Sequence, residues 1–354
     1  MSLPRYPEYK DSGVAWLGEV PAHWDAGSLK WLCQRYSGGT PDKNRLEFWE
    51  NGTIPWLNSG AVNDGRIYEP SAYITHEAFE KSSAKWIPSG ALLMALAGQG
   101  KTKGMVAQLM FESTCNQSMA AIVPSAKVDA RCLYWWLACN YQNIRNMAGG
   151  DLRDGLNLDL LGAIPCPLPP LGEQVAIAAF LDRETAKIDA LIAEQEKLIA
   201  LLAEKRQATT SHAVTRGLNP NAPMKDSGVP WLGEVPAHWR VLSIKRLVST
   251  PITDGPHETP NFSEEGIPFV SAEAVSGGFI DFDKIRGYIS VEDHMRYSAK
   301  YKPQLHDIYM VKSGVTTGVA AIVESDREFN IWSPLAAIRC DKQRADPYFA
   351  LAAS

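Results

Sequence analysis

The sequence predicts an α+β protein made of two homologous domains joined by a long coiled-coil α-helix, and three observations predict it. A fifteen-residue stretch occurs twice, as KDSGVAWLGEVPAHW at residues 10–24 and KDSGVPWLGEVPAHW at 225–239, with Ala15 against Pro230 the single difference. Inside each copy, short apolar runs such as residues 91–94 and 307–311 are broken by glycine-rich turns at about ten-residue intervals, a pattern of strands with a few helices. Between the copies, residues 172–214 carry no proline and no interior glycine, which predicts one long helix.

The duplication extends well past the quoted stretch. Ser28-Leu29-Lys30-Trp31-Leu32 matches Ser243-Ile244-Lys245-Arg246-Leu247, and Gly52-Thr53-Ile54-Pro55-Trp56 answers Glu265-Gly266-Ile267-Pro268-Phe269. Further on, Ser118-Met119-Ala120-Ala121-Ile122 matches Pro334-Leu335-Ala336-Ala337-Ile338 shifted by one residue, and Leu133-Tyr134-Trp135-Trp136 matches Pro347-Tyr348-Phe349-Ala350. Repeats of this kind decide the architecture before any local reading does. They place a first domain at 1–165, the helix at 166–217 and a second domain at 218–354. A chain of 354 residues is long enough to give each domain its own core.

The helix begins after Pro167-Leu168-Pro169-Pro170 and is closed by Gly217 and Pro220. Ile177, Leu181, Ile188, Leu191, Leu198 and Leu202 recur on alternating spacings of four and three, with Glu184 and Gln195 as polar interruptions. That rhythm is a coiled-coil seam. At about 1.5 Å per residue such a helix is on the order of 60 Å long, the length of a spacer rather than of a core helix.

Composition narrows the function classes. Apolar residues make up 45% and charged ones 21%, a globular mixture, and the net charge of −5 argues against a protein that grips nucleic acid unaided. A reader that borrows positive charge from a partner is still allowed. The six cysteines, Cys33, Cys115, Cys132, Cys139, Cys166 and Cys340, form no CxxC pair and accompany no secretory leader, so neither a zinc site nor a disulfide framework is expected and a cytoplasmic setting is. The most apolar run, residues 91–97, is too short to span a bilayer.

Taken together, the paired KDSGVxWLGEVPAHW stretches, the helix entry at residues 167–182 and the helix exit Ser211-His212-Ala213-Val214-Thr215-Arg216-Gly217 resemble the specificity (S) subunit of Type I restriction-modification enzymes. The resemblance covers nearly the whole chain. It implies two target recognition domains, each reading one half of a split site in double-stranded DNA, held apart by the helix. It further implies two adenine methyltransferase (M) subunits and a restriction (R) subunit as partners. S-adenosylmethionine, ATP and Mg would belong to those partners, with no cofactor, metal or catalytic residue on this chain. Under that reading the repeated stretch is common scaffold, used once per half-site.

Enzymatic alternatives lack their motifs. The only Pro-Pro pair, Pro169-Pro170, is a helix entrance rather than a methyltransferase Asn/Asp-Pro-Pro-aromatic motif, and no lysine downstream of Pro41-Asp42 has an acid two residues before it. Ala95-Leu96-Ala97-Gly98-Gln99-Gly100-Lys101-Thr102 fits a helicase-type phosphate-binding loop, but Lys103-Gly104 follows at once and the second copy has Val311-Lys312-Ser313-Gly314-Val315-Thr316-Thr317-Gly318 instead. A coiled-coil scaffold that never touches DNA would explain the helix but not why the two domains differ mainly in their loops.

Those loops supply the candidate DNA contacts. Ser37-Gly38-Gly39-Thr40-Pro41-Asp42-Lys43 faces Thr253-Asp254-Gly255-Pro256-His257-Glu258-Thr259. Phosphate contacts are expected from Lys101, Thr102 and Lys103 and from Lys312, Ser313, Thr316 and Thr317, which combine lysine with hydroxyls between glycines. For base edges the residue types point to Asn58, Asn116 and Gln117 in the first domain and Asp254 and His257 in the second, with Thr40, Lys43, Thr253 and Thr259 beside them. The four tryptophans of the repeated stretch, Trp16, Trp24, Trp231 and Trp239, are expected to pack the start of each copy onto its domain. A docking surface for the catalytic subunits is their other reading.

The second copy reaches only to a point matching about Ala138 of the first. The expectation from that is a truncated product whose second domain is the less stable, and whose seam at residues 177–202 drives self-association.

Overall fold

The computed structural model describes residues 5–14, 16–98, 101–147 and 155–353. The chain divides into two compact units, residues 1–193 and 194–354. The long helix Leu171–Arg216 runs for 46 residues and gives its first half to one unit and its second half to the other.

The repeated stretch is a β-hairpin in both units. Tyr9–Asp11 pairs with Glu19–Pro21, and Met224–Asp226 with Glu234–Pro236, in the same register. The residue types follow from the turn. Asp11 Oδ1 accepts from the Gly13 amide and Asp226 Oδ1 from that of Gly228, each at 2.9 Å, while Gly13 and Gly228 sit at φ of +71° and +72°, where a Cβ is disfavoured. The shared turn asks for Asp and Gly at the same places in both copies.

Each unit also holds two sheets of matching order. In the first unit, Ile54–Leu57 is flanked by Thr114–Cys115 and Ala72–Ile74; in the second, Ile267–Val270 is flanked by Asn330–Ile331 and Gly287–Ile289. The partners agree residue by residue: Pro55 opposes Tyr73, and Pro268 opposes Tyr288. The larger sheet of the first unit runs Cys33–Ser37, Met119–Pro124, Leu92–Ala95, Val106–Leu109, Arg66–Ile67. Its counterpart runs Thr253–Asp254, Leu335–Ile338, Ile308–Val311, Ala320–Ile322, Gly278–Ile280, with Val275–Ser276 added at the edge. Leu92, Leu93 and Met94 are fully buried on the central strand, as expected for a strand covered on both faces.

The tryptophans divide. Trp16 stacks on Trp136 with centroids 6.2 Å apart, and Trp24 Nε1 donates to Glu173 Oε2 at 2.6 Å. Trp239 lies edge-on to Phe349. Trp231, however, is 85% exposed, so the expectation that all four pack fails there. The residue matching Trp136 is Ala350, which offers no ring to stack on. No helix among the described residues is long and apolar enough to cross a membrane.

Candidate nucleic-acid interface

The helix entry is held to the body of the first unit by three polar side chains, Glu173 and Gln174 on its first turn and Asp182 about two turns further on. Glu173 Oε1 lies 2.9 Å from His23 Nε2, and the two hydrogen bonds from His23 and Trp24 hold its carboxyl below the usual range. Gln174 is buried; its Oε1 accepts from the Asp129 amide, and its Nε2 donates to the Lys127 and Pro169 carbonyls. Burial pushes the Asp182 carboxyl up, but hydrogen bonds from Arg131 and Trp135 and the charges of Arg131 and Arg66 outweigh it and hold it down. These contacts account for Glu173, Gln174 and Asp182 of the helix entry.

At one end of the larger sheet the divergent loops converge. The Leu96 amide donates to the Ser118 carbonyl at 2.8 Å, and Ser37 pairs with Ala120, so the turns at 38–43, 101–104 and 116–118 lie at the same sheet end. The parallel pairing of Leu57 with Cys115 sets Asn58 beside Asn116. Thr40 Oγ1 donates to Gln117 Oε1. Asn58 Oδ1 accepts from the Gly60 amide and Asn116 Oδ1 from that of Ser118, so both amide groups are oriented by their own turns. Lys43 and Gln117 are exposed.

The turn at 101–104 sits against the helix Tyr141–Asn146, with Tyr141 Oη donating to the Lys101 carbonyl at 2.6 Å. Lys101 is exposed and Thr102 half-buried, whereas Lys103 is 4% exposed. Of the Lys101 and Lys103 pair expected to face phosphate, only Lys101 stands in solvent, since packing in the turn withdraws Lys103. Gln99 and Gly100 of the phosphate-loop look-alike lie outside the described residues. Lys101 and Thr102 lead into the strand Val106–Leu109 and not into a helix, so the context of a nucleotide site is missing there.

The second unit repeats the convergence. The Lys312 amide donates to the Pro334 carbonyl, and Asp254 pairs with Ala336. Since Ser37 occupies the corresponding pairing with Ala120, Ser37 matches Asp254 and Gly38 matches Gly255, one residue off the linear facing of the loops. The glycines confirm that register. A Cβ on Gly38 would meet the Cys115 carbonyl oxygen at 1.9 Å, and one on Gly255 the Ile331 oxygen at 2.0 Å.

Asp254 is not presented as a free acceptor. Its carboxylate takes hydrogen bonds from Lys300 Nζ at 2.8 Å and Lys312 Nζ at 2.6 Å, which hold it well below the usual carboxylate range, and His257 Nε2 lies 3.2 Å away. Ser313, Thr316, Thr317, His257 and Thr259 are exposed, and Thr253 is half-buried in its strand. A cleft of about 290 Å³ lies beside them, lined in part by Asp254, Arg296, Tyr297 and Lys300. Lys300 is absent from the loops that the sequence singles out, because it ends the helix Val291–Lys300 and reaches the site through space.

The family described as the Type I restriction modification DNA specificity domain matches residues 21–200. The EcoR124I/EcoR124II specificity subunit of Escherichia coli is 30% identical over 181 residues, covering 49% of this chain and 42% of that one. The EcoKI specificity subunit of Escherichia coli K12 is 22% identical over 276 residues, covering 76% of this chain and 57% of that one. The chain thus spans about half the length of these relatives. Among solved structures, the HsdS subunit from Thermoanaerobacter tengcongensis superposes with a TM-score of 0.54 at 19% identity, over 94% of this chain and 79% of that one. A structure described under the assembly and conformational transition of the type I R-M system gives 0.60 at the same identity and coverage. Both likenesses concern the fold.

Proposed function

The chain belongs to the Type I restriction modification DNA specificity family, and from that premise we propose that it is the non-catalytic, sequence-reading subunit of a Type I system. Each unit reads one half of a bipartite site in double-stranded DNA. Thr40, Asn58, Asn116 and Gln117 serve one half, with Lys43, Lys101 and Thr102 at the phosphates. His257, Thr259, Ser313, Thr316 and Thr317 serve the other, with Lys312 at the backbone.

One observation carries this reading: two units of the same strand order and register differ in the side chains they place at the same sheet end. A frame held constant while its loops change is what two readers of different half-sites require. Backbone contacts would set register, and side chains such as Asn and Gln would discriminate bases in the major groove.

The partners in this proposal are two methyltransferase subunits that use S-adenosylmethionine and extrude the target adenine from the stack, and a restriction subunit that uses ATP and Mg. This chain would bind none of those cofactors and would choose which adenine is modified. The helix between the units would act as spacer, and its apolar stripe would take a second helix, another copy of the chain included. Mapping methylated adenines in cells that express the chain with its methyltransferase tests the reading. The expected result is a split motif with a constant gap; methylation without a motif, or a single uninterrupted motif, overturns it.

A further inference from the structure

The copies share a second short repeat, outside the hairpin: Ser83-Ala84-Lys85-Trp86-Ile87-Pro88 in the first and Ser298-Ala299-Lys300-Tyr301-Lys302-Pro303 in the second. Most of its positions have packing reasons. A Cβ on Gly39 would meet backbone atoms of Ser83 and Ala84 at 2.5 and 2.6 Å, so this segment lies directly against the loop that carries Thr40. Tyr36 Oη donates to the Trp86 carbonyl at 2.8 Å, and Tyr301 Oη donates to Asp307. The lysine is not explained by burial, because both Lys85 and Lys300 are exposed.

Their surroundings differ in charge. Lys300 shares the Asp254 carboxylate with Lys312. In the first unit the place of Asp254 is taken by Ser37, and among the described residues Lys85 forms no ion pair; its ammonium lies 5.9 Å from the centre of the Tyr36 ring. The ammonium recurs in both units against the loop that varies; Asp254 meets it in the second unit, whereas in the first, among the described residues, no carboxylate pairs with it. On a chain of net charge −5, a cation kept at that place suits an anion from outside.

We infer that Lys85 and Lys300 each contact a DNA phosphate, one per half-site, and hold each unit in register whatever bases its loops read. The inference rests on the DNA-reading proposal above. Lysine suits the role because a flexible point charge meets phosphate without demanding the planar geometry that base edges require. Asp254 offsets part of the charge in the second unit, so the contribution of Lys85 is the larger.

The test uses the full chain with its methyltransferase subunits, bound to a duplex carrying the methylated motif and to a scrambled duplex, between 50 and 200 mM salt. Each phosphate contact adds about 0.9 to the slope of log affinity against log salt, or about threefold in affinity over that range. Lys85→Ala is expected to lower the slope by about that amount on both duplexes, and Lys300→Ala by less. The motif methylated in cells should stay the same. Lys85→Arg, which keeps the charge, should keep the slope, as should Lys81→Ala, whose lysine is paired with Glu77. Wild-type binding with a slope unchanged in both alanine variants, or an altered motif, overturns the inference while leaving the reading intact. A wild-type complex that shows no preference for its own motif overturns both.

Discussion

Arg131 Nε donates to Asp182 Oδ1 across 2.7 Å, joining the helix Ala130–Cys139 of the first unit to the third turn of the long helix. Trp135 Nε1 and Arg66 Nη2 each reach the same carboxylate at 2.8 Å. One aspartate therefore gathers two cations and an indole from two different elements. Its removal leaves Arg131, whose side chain is 18% exposed, without an ion-pair partner among the described residues.

Asp182→Ala is expected to destabilise the first unit by about 2 kcal/mol, and Asp182→Asn by less because an amide oxygen still accepts from Trp135. Denaturant titration of the purified chain measures both. The pH dependence follows from the same contacts. The carboxyls of Asp182 and Glu173 are held below their ordinary values, so their stabilisation is fully present above the unfolded values of about 3.9 and 4.3 and is lost as pH falls through the lower folded ones. The denaturation midpoint should hold steady from pH 8 to 5 and fall below about pH 4, less steeply in Asp182→Ala.

The second unit depends on a different buried charge. The Asp307 side chain is 1% exposed and takes both nitrogens of an Arg339 fork at 2.7 Å, together with the Gln304 amide and the Tyr301 hydroxyl. The strand pairings match it to Ala91 in the first unit, since Ile308 opposes Ile322 as Leu92 opposes Gln108. Asp307→Ala strands the guanidinium and should cost on the order of 3 to 5 kcal/mol. The double variant Asp307→Ala with Arg339→Val, which copies the first unit, should recover part of the loss. A double variant no more stable than the single one would refute this account of the pair.

The first unit should be exchangeable. Replacing residues 25–164 by the matching segment of another family member is expected to change one half of the methylated motif and leave the other half and the gap alone, as the proposal that each unit contacts its own base edges requires. Methylome mapping of the exchanged chain reads this out directly. A change in both halves together would contradict independent reading.

Periodicity and duplication carry far at the level of frame. The helix expected at residues 172–214 spans Leu171–Arg216, and the runs at 91–94 and 307–311 are the strands Leu92–Ala95 and Ile308–Val311, because proline, glycine and apolar spacing act locally. The loops obey no such rule. Ser37 and Asp254 share a position only through strand pairing, and Lys300 meets Asp254 only because the fold brings the end of a helix 46 residues away to that loop. Lys103 differs from Lys101 by packing in a turn, which sequence spacing does not encode. The loss of packing at Trp231 was legible, since the same alignment that pairs Trp16 with Trp231 pairs Trp136 with Ala350.

If the helix sets the interval between readers, its length should appear in the recognised site. Four residues inserted after Ala193 add about 6 Å and roughly one turn, and B-DNA rises about 3.4 Å per pair, so the gap should widen by about one or two pairs. The methylated motif of the inserted chain decides it. An active variant with the original gap would remove the spacer role.

The apolar stripe of the long helix changes character along its length. On the first turns Gln174, Ala178 and Asp182 face the first unit, and Ile177 and Leu181 are half-buried beside them. Beyond that point Ile188, Leu191, Leu198 and Leu202 are between 46% and 59% exposed, and Ile192 and Ile199, outside the expected seam, are exposed as well. The exposed face is therefore broader than a two-position seam and begins at Ile188 rather than Ile177. Such a face loses free energy in water at about 25 cal/mol per Å² and gains it back by covering itself. A second helix with the same stripe covers it best, since the knobs of one fill the holes of the other. The isolated chain is accordingly expected to self-associate through residues 188–202, seen by light scattering at micromolar concentration. Leu191→Glu with Leu198→Glu should return it to monomer, because two carboxylates would then have to be desolvated at the centre of the contact. A wild-type monomer, or association indifferent to both charges, would show that the stripe is not the contact.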